Sequence, residues 1–270
     1  MIIAVSMDRR FEAVRIDINC DMGESFGRYR LGEDEKIIRW ITSASIACGF
    51  HGGDPMVMDK TVKLARLHNV AVGAHPGYPD LIGFGRRKME TSPGEIKNYV
   101  LYQIGAAASF ARAVGLQLQH VKLHGALYNH AAQNEVAAAE TIEAVQLCDP
   151  DLCVFAPAGS TFAAMAGAAG LRVAREAFAD RAYTGDGRLA PRNQPGAVIN
   201  DPSKVCERVL KLVKTGVVES LEGEDIRLDA DSLCVHGDTP GAWEIAKAVK
   251  QALEGAGIKV LAPGRRSSER

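Results

Sequence analysis

The chain has 270 residues, of which 47% are hydrophobic and 24% charged, so it can bury the core of one large barrel or of two small domains. Its 32 Lys and Arg side chains balance 33 Asp and Glu, which argues against nucleic acid or an anionic membrane surface as the main partner. No apolar run approaches the roughly 18 residues of a membrane span. Six cysteines without C-x-x-C spacing favour free thiols and a cytoplasmic protein.

Short apolar runs alternate with helical segments along the chain. The predicted strands are 14–20, 44–48, 70–75, 119–124, 152–156, 171–177, 233–236 and 258–261. The predicted helices are 34–42, 55–68, a long helix that ends near 114, 134–148, 160–169 and 202–214. Ser92 is expected at the N-cap of the long helix, with Glu95 at N3. This alternation predicts an α/β fold, a distorted (β/α) barrel with seven or eight mainly parallel strands, and leaves an open doubly wound sheet as the alternative.

Three segments stand apart from the alternation. Residues 1–13 are expected to be an N-terminal extension, and the sequence leaves open whether Met1 or Met7 is the first residue. Residues 14–263 are expected to form a single catalytic barrel domain, followed by a disordered tail over 264–270. Residues 178–231 are rich in Gly and Pro before their helix begins, and a connection of this length indicates a functional loop or a lid.

Six polar, glycine-flanked clusters follow predicted strands. They occupy residues 17–25, 47–55, 73–80, 120–130, 175–183 and 234–240. The carboxyl ends of parallel strands meet at one end of a barrel or sheet, where the active sites of such folds form. The clusters therefore predict an enzyme with one polar site built from many parts of the chain.

The alternation of side chains along a strand predicts which residues point into the barrel. The apolar face of each strand should contact the helices, which assigns the polar face to the lumen. The residues assigned to the lumen are Asp17, Asn19, Asp21, His120, Lys122, His124, Cys234, His236 and Asp238. Burying so many polar groups costs free energy unless they pair, hold a metal or take part in chemistry. A satisfied polar network is the alternative for any one histidine.

Two further patterns concern phosphate. Arg86 and Arg87 lie in the glycine-rich stretch 83–89, which suits a phosphate or a carboxylate, or is an ordinary exposed loop. The chain contains no G-x-x-x-x-G-K-[ST] loop and no G-x-S-x-G elbow. An ordinary nucleotide-binding P-loop and a serine-hydrolase elbow are both excluded.

At these clusters the chain resembles the LamB/YcsF family, the A subunits of prokaryotic 5-oxoprolinases. The matching stretches are IDINCDMGESFG (16–27), SIACGFHGGDP (45–55), VGAHPGYPDLIGFGRR (72–87), VKLHGALYNH (121–130), EAFADRAYTGDGRLAPR (176–192) and LCVHGDTP (233–240). The resemblance implies a barrel related to the glycoside hydrolase/deacetylase superfamily. It also implies hydrolytic opening of 5-oxo-L-proline to L-glutamate, with ATP as co-substrate and with B and C subunits as partners.

We assign roles to the cluster residues on this hypothesis. Asp21 or Glu24 with His75 would activate water, and His124 or His236 would protonate the ring nitrogen. The residues expected to bind or orient the substrate or its phosphate are Asp17, Asn19, His51, Asp54, Arg86, Lys122, Glu176, Arg181 and Asp238. A divalent metal is left open, and its expected ligands would be Asp21, His51, His75 and His124.

Two other functions remain open at this point. One is a metal-dependent deacetylase that acts on an amide or an N-acyl sugar without ATP. The other is a non-catalytic subunit that binds a lactam. The sequence also leaves open whether ATP contacts this chain and whether the chain forms a homo-oligomer.

Overall fold

A closed barrel of parallel strands forms the centre of the molecule in the computed structural model, which describes residues 14–237 and 241–264. Its seven strands are β1 (Arg15–Met22), β2 (Ser43–Ala47), β3 (Ala71–His75), β4 (His120–Lys122), β5 (Cys153–Pro157), β6 (Arg172–Phe178) and β9 (Ser232–Val235). Strand β9 pairs in parallel with both β6 and β1, which closes the barrel. The predicted barrel is confirmed, and the open doubly wound alternative is wrong.

An eighth parallel strand lies outside the closed ring. Strand β10 (Lys259–Val260) pairs with the start of β1, where Arg15 is opposite Lys259. The predicted extension 1–13 and nearly all of the predicted tail 264–270 lie outside the described residues.

Helices cover the barrel and bury the outward face of its strands. They are α1 (Asp34–Ile37), α2 (Pro55–Leu67), α3 (Glu95–Ala113), α4 (Gly125–Gln133), α5 (Glu135–Cys148), α6 (Thr161–Ala168), α7 (Pro202–Thr215) and α8 (Ala242–Gly255), with a 3-10 turn at Ile38–Trp40. The outward side chains Ile16, Ile18 and Leu123 are at most 1% exposed within this core. Among the described residues, no helix has the length and apolar character needed to cross a bilayer.

Several helices differ from the sequence prediction. The single helix predicted over 34–42 is α1 followed by the 3-10 turn. Helices α4 and α8 were not predicted. In α8, Ile245, Val249 and Leu253 recur every four residues and are all buried, which is the pattern of a helix with one apolar face. Helix α4 begins directly after His124, inside one of the polar clusters. Its few buried apolar residues were read as part of that cluster and not as one face of a helix.

The start of α3 corrects the predicted cap. Gly94, with φ 84°, is the N-cap, so the assignment of Ser92 to that position is wrong. The Glu95 carboxylate still accepts the Ser92 backbone N–H at 2.5 Å. Glu140 of α5 accepts from the N–H groups of Gly94 and Lys97 at 2.8 and 3.2 Å. A carboxylate from a neighbouring helix therefore accepts hydrogen bonds from the free N–H groups at the start of α3. The sequence around residue 94 alone could not predict this contact.

The long segment between β6 and β9 has structure of its own. It contains isolated bridges that join Arg181 to Val198 and Tyr183 to Leu189, and then α7. An antiparallel hairpin of β7 (Val217–Glu219) and β8 (Asp225–Arg227) follows. The segment that the sequence predicted as a loop or a lid is thus an ordered structure beside the mouth of the barrel.

Small side chains on β2 and β3 make room for larger ones inside the barrel. Ser45 Oγ lies 3.0 Å from His120 Nε2, and a Cβ added at Gly73 would lie 2.3 Å from the same imidazole. His120 also stacks on Phe155 with ring centroids 4.2 Å apart. Burial lowers the pKa of His120 to about 3, so the ring is neutral at physiological pH. The lumen is filled by side chains, as in other small barrels.

Candidate active site

A buried lysine connects four strands of the barrel. Lys122 Nζ, on β4, lies 2.9 Å from Asn19 Oδ1 and 2.8 Å from Asp21 Oδ1 on β1. It also lies 2.8 Å from Glu176 Oε1 on β6 and 3.0 Å from Cys234 Sγ on β9. The lysine is 2% exposed, so its charge is balanced almost entirely by these groups. The predicted lumen residues of three strands therefore meet at one ammonium.

The charges of this centre stabilise one another. Burial alone would lower the pKa of Lys122, but the nearby carboxylates of Asp21 and Glu176 raise it well above its usual range. Burial alone would raise the pKa of Asp21, but the charges of His75 and Lys122 hold it well below its usual range. Asp21 is therefore an anion at neutral pH. Glu176 is held by Asn19 Nδ2 at 2.8 Å as well.

Three imidazoles lie side by side next to this centre. The rings of His51 and His124 are stacked, with centroids 3.7 Å apart and planes 1° from parallel. His75 meets His124 edge to face, and its Nε2 lies 2.9 Å from His124 Nδ1. Glu24 Oε1 lies 3.4 Å from His124 Nδ1 and 3.5 Å from His51 Nε2. Glycines leave the space for these rings, since a Cβ at Gly77 would lie 2.6 Å from His51 Nδ1.

Among residues 14–237 and 241–264, two groups of side chains place ligand atoms within 4.8 Å of one another and so could hold a metal. The first consists of Glu24, His51, His75 and His124. The second consists of Asp21, Cys234 and His236. The first group places Glu24 where the sequence prediction had Asp21, although Asp21 Oδ2 remains 3.4 Å from His75 Nε2.

His236 belongs to a separate dyad. Its Nδ1 lies 3.0 and 3.1 Å from the two carboxylate oxygens of Asp180, and its ring stacks on Phe178 at 5.1 Å. Burial alone would raise the pKa of Asp180, but the charge and hydrogen bonds of His236 lower it. The carboxylate therefore orients the imidazole and fixes a proton on Nδ1. Nε2 is the nitrogen that remains for a ligand.

A cavity of about 470 Å³ opens over both groups. Asp21, Glu24, Lys122, His124 and His236 line its inner end. The guanidinium groups that line it are Arg86, Arg181, Arg188 and Arg192. The cavity thus combines acid–base groups with an excess of fixed positive charge, which suits an anionic substrate.

The long segment after β6 supplies three of these arginines. Arg181 is 6% exposed, and its Nη2 and Nε donate to the carbonyls of Ala190 and Ala197 at 2.5 and 3.2 Å. Burial, and then the nearby charge of Arg192, lower the pKa of Arg181. Arg181 therefore holds in place the stretch that carries Arg188 and Arg192 into the cavity.

Other predicted site residues lie elsewhere. Asp17 is buried deeper in the lumen, where Thr42 and Ser43 donate to its Oδ1 at 2.6 and 2.7 Å and Ser232 donates to its Oδ2. Asp54 is the N-cap of α2 and accepts the backbone N–H groups of residues 56 and 57 at 2.8 and 2.9 Å, so its position is explained by helix capping. Asp238 lies outside the described residues.

The structure also brings in residues that were not predicted. Asp180 lies within the cluster 175–183, but the pairing of β6 with β9 was needed to place it beside His236. Tyr128 donates to Glu176 Oε2 at 2.5 Å from helix α4, which the sequence analysis had missed. Arg188 and Arg192 lie in the long segment, and their polar, Gly-rich surroundings gave no sign of which residues would face the cavity.

Comparison with known proteins identifies the family of the chain. The family model described as LamB/YcsF matches residues 16–268. The A subunit of 5-oxoprolinase from Syntrophobacter fumaroxidans is 62% identical over 251 residues, which cover 93% of this chain and 99% of that protein. The A subunit of 5-oxoprolinase from Pyrococcus furiosus is 53% identical, with coverage of 93% and 98%.

A solved structure has the same fold. The lactam utilization protein from Thermus thermophilus matches with a TM-score of 0.88 and 48% identity, over 92% of this chain and 100% of that one. The family model and the identities both extend over nearly the whole length. The chain therefore belongs to the LamB/YcsF family.

Proposed function

We propose that this chain is the ring-opening subunit of a 5-oxoprolinase, which converts 5-oxo-L-proline to L-glutamate at the expense of ATP. The observation that supports this proposal most strongly is a cavity lined by Asp21 and His236 together with a set of guanidinium groups. The relatives are named as the A subunit of 5-oxoprolinase and as a lactam utilization protein, and these names support this substrate class. In this proposal the barrel over residues 14–263 is the catalytic domain.

The need for ATP follows from the chemistry of the substrate. A five-membered lactam is a stable amide, and phosphorylation of its oxygen makes the ring carbon a much better electrophile. We assign that phosphorylation to partner subunits B and C, because this sequence has no P-loop lysine. The arginines of the cavity would then hold the phosphate and the substrate carboxylate, together with Lys122 at the inner end.

Asp21 fits the role of the base. It is ionised at neutral pH, lines the cavity and is fixed by the 2.8 Å contact with Lys122. A water that adds to the ring carbon would pass its proton to Asp21, and the electron pair of the C=N bond would move to the ring nitrogen, which takes up a proton. The ammonium of Lys122 would lie near the phosphate-bearing oxygen. Lys122 contacts one carboxylate oxygen of Asp21, Oδ1, and His75 Nε2 lies 3.4 Å from the other, Oδ2.

His236 fits the role of the acid better than His124 does. Both nitrogens of His124 already have neighbours, the Phe84 carbonyl at 2.8 Å and His75 at 2.9 Å. His236 keeps Nε2 for the substrate while Asp180 holds Nδ1. We therefore assign proton donation to the ring nitrogen to His236.

The order of bond breaking explains why this proton matters. After water adds, loss of phosphate would regenerate the lactam and waste the ATP. Protonation of the nitrogen breaks the C–N bond instead and leaves an acyl phosphate with a free amine. A second water then cleaves the acyl phosphate to glutamate and phosphate, so that one ATP and two waters are consumed for each ring. The acid at nitrogen thus couples ATP hydrolysis to ring opening.

A metal-dependent amidase that acts without ATP is the second candidate, and the cluster of Glu24 with three histidines favours it. The two candidates differ in what the chain does alone. We place the ATP-coupled enzyme in the cytoplasm, which the six free cysteines support.

Reconstitution tests the proposal directly. Glutamate formed from 5-oxoproline is measured with this chain alone, with the B and C subunits alone, and with all three, each with and without ATP. We expect glutamate only from the complete mixture with ATP. Equal glutamate formation without this chain would refute the assignment, and ATP-independent hydrolysis of an amide or N-acyl sugar by this chain alone would support the second candidate.

A further inference from the structure

The hydrogen bonds of two histidines fix where their protons lie. His75 Nδ1 is 2.8 Å from the backbone carbonyl of Lys122, and His124 Nε2 is 2.8 Å from the carbonyl of Phe84. A carbonyl oxygen only accepts, so each of these nitrogens carries the ring proton. In the neutral rings, His75 Nε2 and His124 Nδ1 both present lone pairs, and they face each other at 2.9 Å.

Two lone pairs at this distance repel each other unless a positive centre lies between or beside them. A proton or a metal ion could supply it. Imidazole nitrogens that present lone pairs are the form that ligates a metal.

His51 gives an independent indication of a missing ligand. Its side chain is fully buried, and neither ring nitrogen has a hydrogen-bond partner among the described residues. Leaving both polar atoms of a buried imidazole unsatisfied costs free energy, which the rest of the fold must offset. His51 Nε2 lies 3.5 Å from Glu24 Oε1, beside the other two imidazoles of the cluster.

We propose that Glu24, His51, His75 and His124 bind one divalent first-row transition metal ion, with zinc as the best match for their donor atoms. Three imidazole nitrogens and one carboxylate oxygen are typical zinc ligands. Ligand atoms around a tetrahedral zinc with bonds of about 2.1 Å lie roughly 3.4 Å apart. The contacts of Glu24 Oε1 with His124 Nδ1 and His51 Nε2 are 3.4 and 3.5 Å.

The neighbouring group of Asp21, Cys234 and His236 does not share these features. The ammonium of Lys122 already lies 2.8 Å from Asp21 and 3.0 Å from Cys234, so a cation is present at those atoms. Burial raises the pKa of Cys234 well above its usual range, which opposes the thiolate that a metal needs. The ion is therefore assigned to the first group, and Asp21 remains outside its four ligands.

Titration with cobalt tests this assignment on the full-length chain. The protein is dialysed against a chelator and titrated with Co²⁺, and the visible absorption of the bound ion is followed, with displacement by Zn²⁺ as a second readout. We expect one equivalent to bind with the intense spectrum of a four- or five-coordinate site. His51→Gln should weaken binding by at least about 100-fold. Loss of a residue that only hydrogen-bonds to a metal ligand already weakens binding by up to about 100-fold, and His51 is a ligand itself.

Matched variants separate this site from other histidines. His68→Gln, at the C-cap of α2, and His236→Gln, in the neighbouring group, should bind cobalt like the wild type. If His51→Gln fails to fold by circular dichroism, Glu24→Gln is titrated instead. Absence of binding to the wild type, which would leave a shared proton as the only bridge, overturns the proposal, and so does undiminished binding to the folded variant. The result does not depend on which substrate the enzyme opens.

Discussion

Lys122 and Asp21 are 101 positions apart in the sequence, yet the ammonium of one lies 2.8 Å from the carboxylate of the other. Both side chains are nearly excluded from solvent. Each removes the penalty that the other would suffer if it were buried alone, and Glu176 adds a second carboxylate at 2.8 Å. The pair is thus a condition for burying a polar site at the end of the barrel.

Removal of the lysine charge should destabilise the fold. Lys122→Met keeps much of the side-chain volume but leaves Asp21 and Glu176 as uncompensated buried charges. We expect the free energy of unfolding at neutral pH to fall by about 3–5 kcal/mol, the cost of breaking a buried pair from one side. Urea unfolding measures it.

The control is a lysine in an exposed pair. Lys63 lies 2.7 Å from Asp59 on α2, and its side chain is 62% exposed. Lys63→Met should change the free energy of unfolding by less than about 1 kcal/mol. Similar losses in the two lysine variants would show that burial of the Lys122 pair carries no special cost.

Asp17 should make the stability depend on pH. Burial raises its pKa from 3.8 to about 6, although Ser232, Thr42 and Ser43 donate to it. The folded state therefore binds the proton more tightly than the unfolded state does. The penalty for ionising Asp17 is absent below about pH 4 and complete above about pH 6, where it amounts to about 3 kcal/mol.

Comparison with Asp17→Asn isolates this contribution from other titrating groups. The free energy of unfolding of the wild type, taken relative to the variant, should fall as the pH rises from about 4 to about 7. Denaturant unfolding at several pH values measures the difference. A difference that stays constant across this range would contradict the raised pKa.

Two glycines should respond to alanine in opposite directions. A Cβ at Gly73 would lie 2.3 Å from the ring of His120, which is held by Ser45 and Phe155. Gly73→Ala should therefore destabilise the protein by about 1–3 kcal/mol or more. Gly105 lies within α3 with no heavy atom inside 4 Å of an added Cβ. Gly105→Ala should stabilise by up to about 1 kcal/mol. Thermal unfolding measures both, and a tolerated Gly73→Ala would show that the lumen is less tightly filled.

The arginines of the cavity should contribute to binding of an anionic substrate. Arg192 is exposed at the cavity, so Arg192→Gln should fold normally. We expect KM for 5-oxoproline in the complete complex to rise by about 10- to 100-fold, as for loss of one charged hydrogen bond. Arg39→Gln, at an exposed side chain of the 3-10 turn that does not line the cavity, should leave KM unchanged. Equal KM values for all three proteins would remove Arg192 from the substrate site.

The sequence predicts the barrel and the contents of its lumen because both follow from local periodicity. Alternation along β1 and β4 was sufficient to place Asn19 and Lys122 on the inner face. The closure of the ring depends on the pairing of β9 with β1, which no local pattern encodes. Glu24 lies beyond the end of β1, where the alternation of side chains no longer applies. The sequence therefore predicted Asp21, and not Glu24, as the carboxylate ligand of a metal.

The ratio of phosphate released to glutamate formed by the reconstituted complex tests the assignment of ring opening to this cavity most directly. In His236→Asn the ring nitrogen loses its proton donor. Glutamate formation should then fall by at least about 100-fold, as for loss of a general acid, while ATP hydrolysis continues and the ratio rises above one. Asp180→Asn should raise the ratio in the same direction, because it leaves His236 unoriented. A ratio that stays at one in His236→Asn, or glutamate formation at the wild-type rate, would contradict the account.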